Sequence, residues 1–117
     1  MTEGELILDL AALLDSVGGD RELLDELAAT FTAEVPGWIT ALRAAVSSGD
    51  SATLFRVAHG VTGAVGYFKA TSVRQAAADL EAIGREGKLE KAPAAVDVLE
   101  GKLLGLGTFL SSTPWKP

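Results

Sequence analysis

The sequence predicts an all-α fold, an antiparallel four-helix bundle with a short additional helix at the amino end. Apolar residues recur at helical spacing along most of the chain, and no stretch shows the sustained period-two alternation of a strand. Short connections separate the periodic stretches, which favours antiparallel neighbours. The 117 residues fit a single domain, 1–117, which we expect to be helical over about 5–110 and to end in a tail at 111–117.

The first predicted helix covers about residues 5–14 and stops at Gly18–Gly19. Asp20 is the expected N-cap of the next helix, because its side chain can accept a hydrogen bond from a free backbone N–H group. Pro36 either begins a new helix or kinks one long helix. In both cases the helical pattern ends at Gly49, a residue typical of helix C-termini.

Asp50 and Ser51 are expected to cap the following helix, which should end near Lys69–Ala70. Thr71 or Ser72 is the predicted cap of the next helix, which closes at Gly87–Lys88. A polar link then leads to a last helix starting at Pro93, with apolar residues at helical spacing: Val96, Leu99, Leu103, Leu106 and Leu110. We expect the tryptophans of the chain, Trp38 and Trp115, to be packing residues, and the alternative for Trp115 is disorder together with the tail.

The composition excludes several classes of protein and site. Ten basic and sixteen acidic residues give a net charge of −6, which disfavours nucleic acid as a partner. One histidine and no cysteine exclude a disulfide framework and make a metal site improbable, so we predict no metal ligands. The acidic amino terminus and the lack of a long apolar run predict no secretory signal and no membrane span. We therefore expect a cytoplasmic protein.

The single histidine, His59, is predicted to lie on the exposed face of its helix. With Leu54 set at zero and about 100° per residue, His59 falls at roughly 140°, almost opposite the apolar stripe. An exposed neutral imidazole is a potential nucleophile. Glycine inside a helix costs about 0.5–1 kcal/mol, so Gly60, Gly63 and Gly66 suggest that a bulky group must approach the histidine. The alternative is an ordinary surface histidine in a glycine-rich chain.

The helix predicted after the histidine helix carries Arg74, Glu81, Arg85 and Lys88 on one flank. If this flank borders His59, Arg85 and Lys88 would attract an anion to the imidazole. Glu81 would then accept a hydrogen bond from one ring nitrogen and leave the other free. The alternative is a solvated face with ordinary pairs at a spacing of four, such as Glu81–Arg85.

The central run Ala58-His59-Gly60-Val61-Thr62-Gly63-Ala64-Val65-Gly66-Tyr67-Phe68-Lys69-Ala70 resembles the motif of histidine-containing phosphotransfer (HPt) domains. That motif reads Ala-His-x-Leu-Lys-Gly, then small residues, then Phe-Gly-Ala or similar. The flanking segments are also similar over about residues 5–110: Gly18-Gly19-Asp20, Phe31 and Pro36 before the motif, and Leu80-Glu81 and Arg85-Glu86-Gly87 after it.

The resemblance implies a phosphorelay intermediate, a phosphocarrier that is not itself an enzyme. His59 would be the phosphoacceptor, Gly63 would clear its approach, and Glu81 would orient the imidazole. A response-regulator receiver domain would supply the aspartate, the lysine and Mg²⁺, so this domain would bind no cofactor. Receiver domains and a hybrid sensor histidine kinase are the implied partners. The amino-terminal phosphotransfer domain of a chemotaxis kinase is a variant of this interpretation.

Two positions depart from the family motif. Thr62 stands where the family has a basic residue one turn after the histidine, and Lys69 stands where a glycine is expected. A threonine hydroxyl can donate one hydrogen bond but carries no charge. Our hypothesis is that a cation elsewhere takes part of the missing electrostatic role, and the candidates are Arg56, Arg85 and Lys88.

A second class of function is a helical scaffold that docks receiver or kinase domains and never carries phosphate. The missing basic residue at Thr62 motivates it. For docking, Phe55, Gly63, Gly66 and Tyr67 would form a mildly apolar patch around His59; the alternative for Phe55 is a residue at the edge of the core. No nucleophile–base–orienter set indicates an independent enzyme. We expect a monomer.

Overall fold

The computed structural model describes residues 10–112 and Trp115. Its elements in this part of the chain are all helical: α1 (Leu10–Ser16), α2 (Arg21–Ser48), α3 (Ser51–Gly66), α4 (Thr71–Glu86), a 3₁₀ turn (Leu89–Lys91) and α5 (Ala92–Ser111). Both α2 and α4 pack against α3 and α5, which closes a four-helix bundle. The predicted fold class is confirmed, while the start of the first predicted helix, residues 5–9, lies outside the described residues.

The core consists of apolar side chains, and among the described residues no polar or charged side chain is buried. On α3 the buried positions repeat at helical spacing: Leu54, Ala58, Val61 and Val65. The apolar residues predicted for the last helix are all buried in α5. Because burial of apolar surface is the dominant favourable term in folding, these stripes fix the rotation of each helix and decide which side chains face solvent.

The predicted helix caps at Asp20 and Asp50 are confirmed. Their Oδ1 atoms accept hydrogen bonds of 3.0 Å from the backbone N–H groups of Leu23 and Thr53. Helix α2 is continuous through Pro36, which decides between the two predicted alternatives. Pro36 lies on the exposed side of the helix, and buried residues on both sides of it hold the two halves in the bundle.

The connection between α3 and α4 differs from the prediction. Helix α3 ends at Gly66, three residues early, because hydrogen bonds of the i→i+3 type tighten the chain over Tyr67–Lys69. Lys69 then takes a left-handed conformation with φ 59°. The N-cap of α4 is Ala70 rather than Thr71 or Ser72, and no side chain caps it. Ala70 is fully buried, so packing rather than capping chemistry sets this boundary.

The indole of Trp115 is packed against the bundle, so the predicted packing role is confirmed and the alternative of disorder is wrong for this residue. Only 4% of Trp115 is exposed. Its Nε1 donates a 2.8 Å hydrogen bond to Asp25 Oδ1, and Arg21 Nε donates to its carbonyl oxygen over 2.7 Å. Burial of the large apolar indole with its one polar atom satisfied explains why this residue docks. None of the described helices is long and apolar enough to cross a membrane.

Helices α3 and α4 approach each other closely at Gly84. A Cβ atom built on Gly84 would lie 2.6 Å from the backbone nitrogen of Phe55 and 2.9 Å from its Cα. The clash would be with backbone, which a side-chain rotation cannot relieve. Only glycine therefore permits this helix–helix distance.

We predict that Gly84→Ala lowers the free energy of unfolding by about 1–3 kcal/mol, because the added methyl group must push α3 and α4 apart. Gly101→Ala is the matched control: this α5 glycine has open space around it, so alanine should raise stability by about 0.5–1 kcal/mol. Urea unfolding followed by circular dichroism measures both. A Gly84→Ala variant as stable as the wild type would contradict the tight contact.

Candidate functional site

His59 lies in the middle of α3, on the face opposite the core. Its neighbour Ala58 is fully buried, whereas 70% of the His59 side chain is exposed. The predicted orientation of this histidine toward solvent is therefore observed. The adjoining glycines Gly60 and Gly63 have no other group within 4 Å of the position of a Cβ atom, so the surface beside the ring is low.

Glu81 of α4 holds one side of the imidazole. His59 Nδ1 and Glu81 Oε1 are 2.8 Å apart. An ionised carboxylate can only accept a hydrogen bond, so Nδ1 carries the proton and the lone pair of the neutral ring is on Nε2. Nε2 has no hydrogen-bond partner in the described part of the chain. The site thus presents an exposed, oriented nitrogen lone pair.

The hydrogen bond from His59 is the largest cause that lowers the pKa of Glu81. The hydroxyl of Thr62 and the charge of Arg85 lower this pKa further, and partial burial opposes them. Glu81 is consequently ionised at neutral pH. The ionised Glu81 adds to the free energy of unfolding at pH values above its ordinary pKa of 4.5. This contribution is lost as the pH falls through the lowered pKa of the folded protein.

Thr62 and Phe55 surround the pair from α3. The Thr62 hydroxyl lies 3.2 Å from Glu81 Oε2 and 3.0 Å from the carbonyl oxygen of Ala58, and its single proton serves one of them at a time. The half-buried Phe55 ring stacks on the imidazole with ring centroids 5.9 Å apart and an interplanar angle of 15°. Phe55 thus forms a wall of the site, and it is not among the partly buried apolar residues that pack against the core.

Three cations were predicted to replace the missing basic residue. Only Arg85 lies beside the hydrogen-bonded pair of His59 and Glu81. Arg85 Nη2 lies 3.5 Å from Glu81 Oε1, and its guanidinium carbon lies 5.4 Å from the centre of the Phe55 ring. Arg56 instead donates to Thr53 Oγ1 over 3.1 Å. Lys88 Nζ lies 3.7 Å from Glu86 Oε2, just beyond the last residue of α4. Positions on a helical wheel do not reveal such local partners.

An open depression of about 800 Å³ extends from His59 along the seam between α3 and α4. Residues from both helices and the turn between them line it: His59, Thr62, Gly63, Gly66, Lys69, Thr71, Arg74, Ala78 and Glu81. Two basic residues, Lys69 and Arg74, belong to this lining. The sequence placed Arg74 on the flank expected to border His59 but predicted no role in the site for either residue. Tyr67 is exposed and borders an adjoining groove that also contains Gly63.

The described residues contain no group of three or more histidine, cysteine, aspartate or glutamate side chains placed to hold a metal ion. The exposed imidazole is a group of the site that can act as a nucleophile. With Nδ1 donating to a carboxylate, Nε2 can attack an electrophile from solvent, and the resulting positive charge on the ring would face Glu81.

Comparisons with known proteins agree with this architecture. The sequence model of the Hpt domain matches residues 26–108, which include His59 and Glu81. The fold is similar to the crystal structure of histidine-containing phosphotransfer protein B (HptB) from Pseudomonas aeruginosa PAO1, with a TM-score of 0.84, 22% sequence identity and 95% coverage of each chain. No curated protein matches the chain. Because the family model matches well over half of its length, the chain belongs to the Hpt domain family.

Proposed function

We propose that this protein is a phosphorelay intermediate in which His59 accepts a phosphoryl group from a receiver-domain aspartate and passes it to a response regulator. The observation that carries the proposal is the exposed imidazole whose Nδ1 is held by Glu81 while Nε2 faces solvent. Membership of the Hpt family supports the same chemistry. The proposed setting is the cytoplasm, where a hybrid sensor kinase would feed the relay.

The proposed transfer is a direct displacement at phosphorus. The Nε2 lone pair forms the new P–N bond while the P–O bond to the partner's aspartate breaks, and the electron pair of that bond stays on the leaving carboxylate. No proton has to move, because the positive charge of the imidazolium is balanced by the Glu81 carboxylate at Nδ1. Mg²⁺ in the partner would neutralise the charge of the transferring group, and this domain supplies position and an oriented nucleophile.

Thr62 and Arg85 have unequal parts in this proposal. Thr62 offers a hydroxyl already shared between Ala58 and Glu81, and it brings no charge to the phosphoryl oxygens. Arg85 is the nearest cation, and it acts through its position beside Glu81 Oε1. The rate of transfer should therefore depend on Arg85 more than on the hydroxyl. The family motif has a basic residue at the position of Thr62, and its absence here favours the second candidate function, a docking scaffold that carries no phosphate.

The first prediction concerns the phosphoacceptor. Incubation with Mg²⁺ and a radiolabelled, phosphorylated receiver domain should label the wild type but not His59→Gln. The label should be acid-labile and alkali-stable, as expected of a phosphoramidate. Binding of a receiver domain without any label across a panel of such domains would favour the scaffold instead.

The second prediction concerns the cation. Arg85→Ala should slow phosphotransfer about fivefold, which corresponds to roughly 1 kcal/mol in the barrier, because the local field becomes more negative. Thr62→Lys should preserve or raise the rate, because it places a positive charge one turn from His59, as in the family motif. Single-turnover transfer, measured where chemistry limits the rate, tests both. An unchanged rate in Arg85→Ala would contradict the electrostatic role proposed for Arg85.

The third prediction concerns the tautomer of His59. Nitrogen-15 NMR of the neutral imidazole should show the proton on Nδ1 in the wild type and a shift toward Nε2–H in Glu81→Ala, because the acceptor is gone. Glu86→Ala, which removes an exposed glutamate of the same helix, serves as the control and should leave the tautomer unchanged. The same tautomer in Glu81→Ala would show that Glu81 does not orient the ring.

A further inference from the structure

Lys69 occupies a backbone conformation that favours glycine. Its φ of 59° is the one positive φ of a non-glycine residue among the described residues. A side chain in this conformation is disfavoured, and lysine has no local hydrogen bond that offsets the cost as asparagine can. Such outliers persist where the surroundings or a function require them. The Lys69 side chain lines the same depression as His59.

Arg74 reaches the same depression from α4. Its Nε and Cδ atoms lie 3.5 and 3.6 Å from the position that a Cβ atom on Gly66 would occupy. The arginine side chain therefore lies against the bare backbone at the end of α3. Together with Lys69 it forms a basic end of the depression, opposite the end that contains His59 and Glu81.

These two cations have no ion-pair partner among the described residues. Neither has a carboxylate oxygen within 4 Å there, whereas Arg43 has two and Arg85 and Lys88 have one each. Unpaired cations that converge on one depression are notable in a protein with a net charge of −6. A surface of this kind is complementary to an acidic partner and accelerates its association.

The basic end lies too far along the bundle to act on the imidazole itself. Arg74 precedes Glu81 by seven residues, which corresponds to about 10 Å along α4. Helical side chains also lean toward the helix N-terminus, which carries Arg74 away from His59. Contact with a phosphoryl group on Nε2 is therefore not its role, whereas a domain that covers His59 would extend over both ends of the depression.

We propose that Lys69 and Arg74 anchor the acidic rim of the receiver domain that exchanges phosphate with His59. The inference rests on the proposed function and adds a docking contact to it. Carboxylates of the partner would pair with the two cations and fix the rotation of the partner over the imidazole. Lys69, at the position that favours glycine, would thus contribute a positive charge to docking. Thr62 contributes no such charge to the phosphotransfer reaction.

The test uses Lys69→Gly combined with Arg74→Gln. Glycine suits a positive φ, so this substitution removes the charge without loss of the turn. Lys91→Gln is the matched control, because Lys91 is exposed, beyond the opposite end of α4 and outside the depression. Affinity and association rate are measured for a receiver domain that binds the wild type, at 50 mM and 500 mM salt.

We expect the double variant to bind about tenfold more weakly at low salt, chiefly through slower association, and the difference to shrink at high salt. Lys91→Gln should bind as the wild type does. Wild-type affinity and salt dependence in the double variant would overturn the inference. The proposed function is tested separately, by the radioactive label on His59. Absence of label together with salt-sensitive binding would overturn that function alone. Full binding by the double variant together with normal labelling would overturn this inference alone.

Discussion

Helices α3 and α4 approach so closely at Gly84 that the backbone of Phe55 occupies the space of a side chain. His59 follows Phe55 by one turn on α3, and Glu81 precedes Gly84 by nearly one turn on α4. The contact that joins the helices therefore also sets the 2.8 Å separation of imidazole and carboxylate. Two packed helices hold this geometry without a loop, so the imidazole is oriented by the fold itself.

The charges around His59 are arranged in two parts. Beside the imidazole, Glu81 is paired with Arg85 and bonded to the ring, so its negative charge is partly compensated. Farther along the depression, Lys69 and Arg74 carry charges that no carboxylate of the described chain neutralises. In the proposed relay, an anionic partner would be attracted at the periphery and would meet the oriented imidazole at the centre, so recognition and chemistry would use separate groups.

Apolar packing builds the core, and no polar side chain of the described chain is buried. The groups of the site lie outside that core, although Glu81 adds to stability through its lowered pKa. The two departures from the family motif, Thr62 and Lys69, likewise contribute nothing to the core.

From the sequence alone, helical periodicity determined the bundle and the exposed face of His59, because burial of an apolar stripe leaves the opposite face to solvent. Local chemistry likewise determined the caps at Asp20 and Asp50. The start of α4 at the buried Ala70, the docking of Trp115 and the partners of Arg56 and Lys88 were decided only in three dimensions. These features depend on contacts between residues distant in sequence, or on one side-chain rotation among several, and no local pattern encodes either.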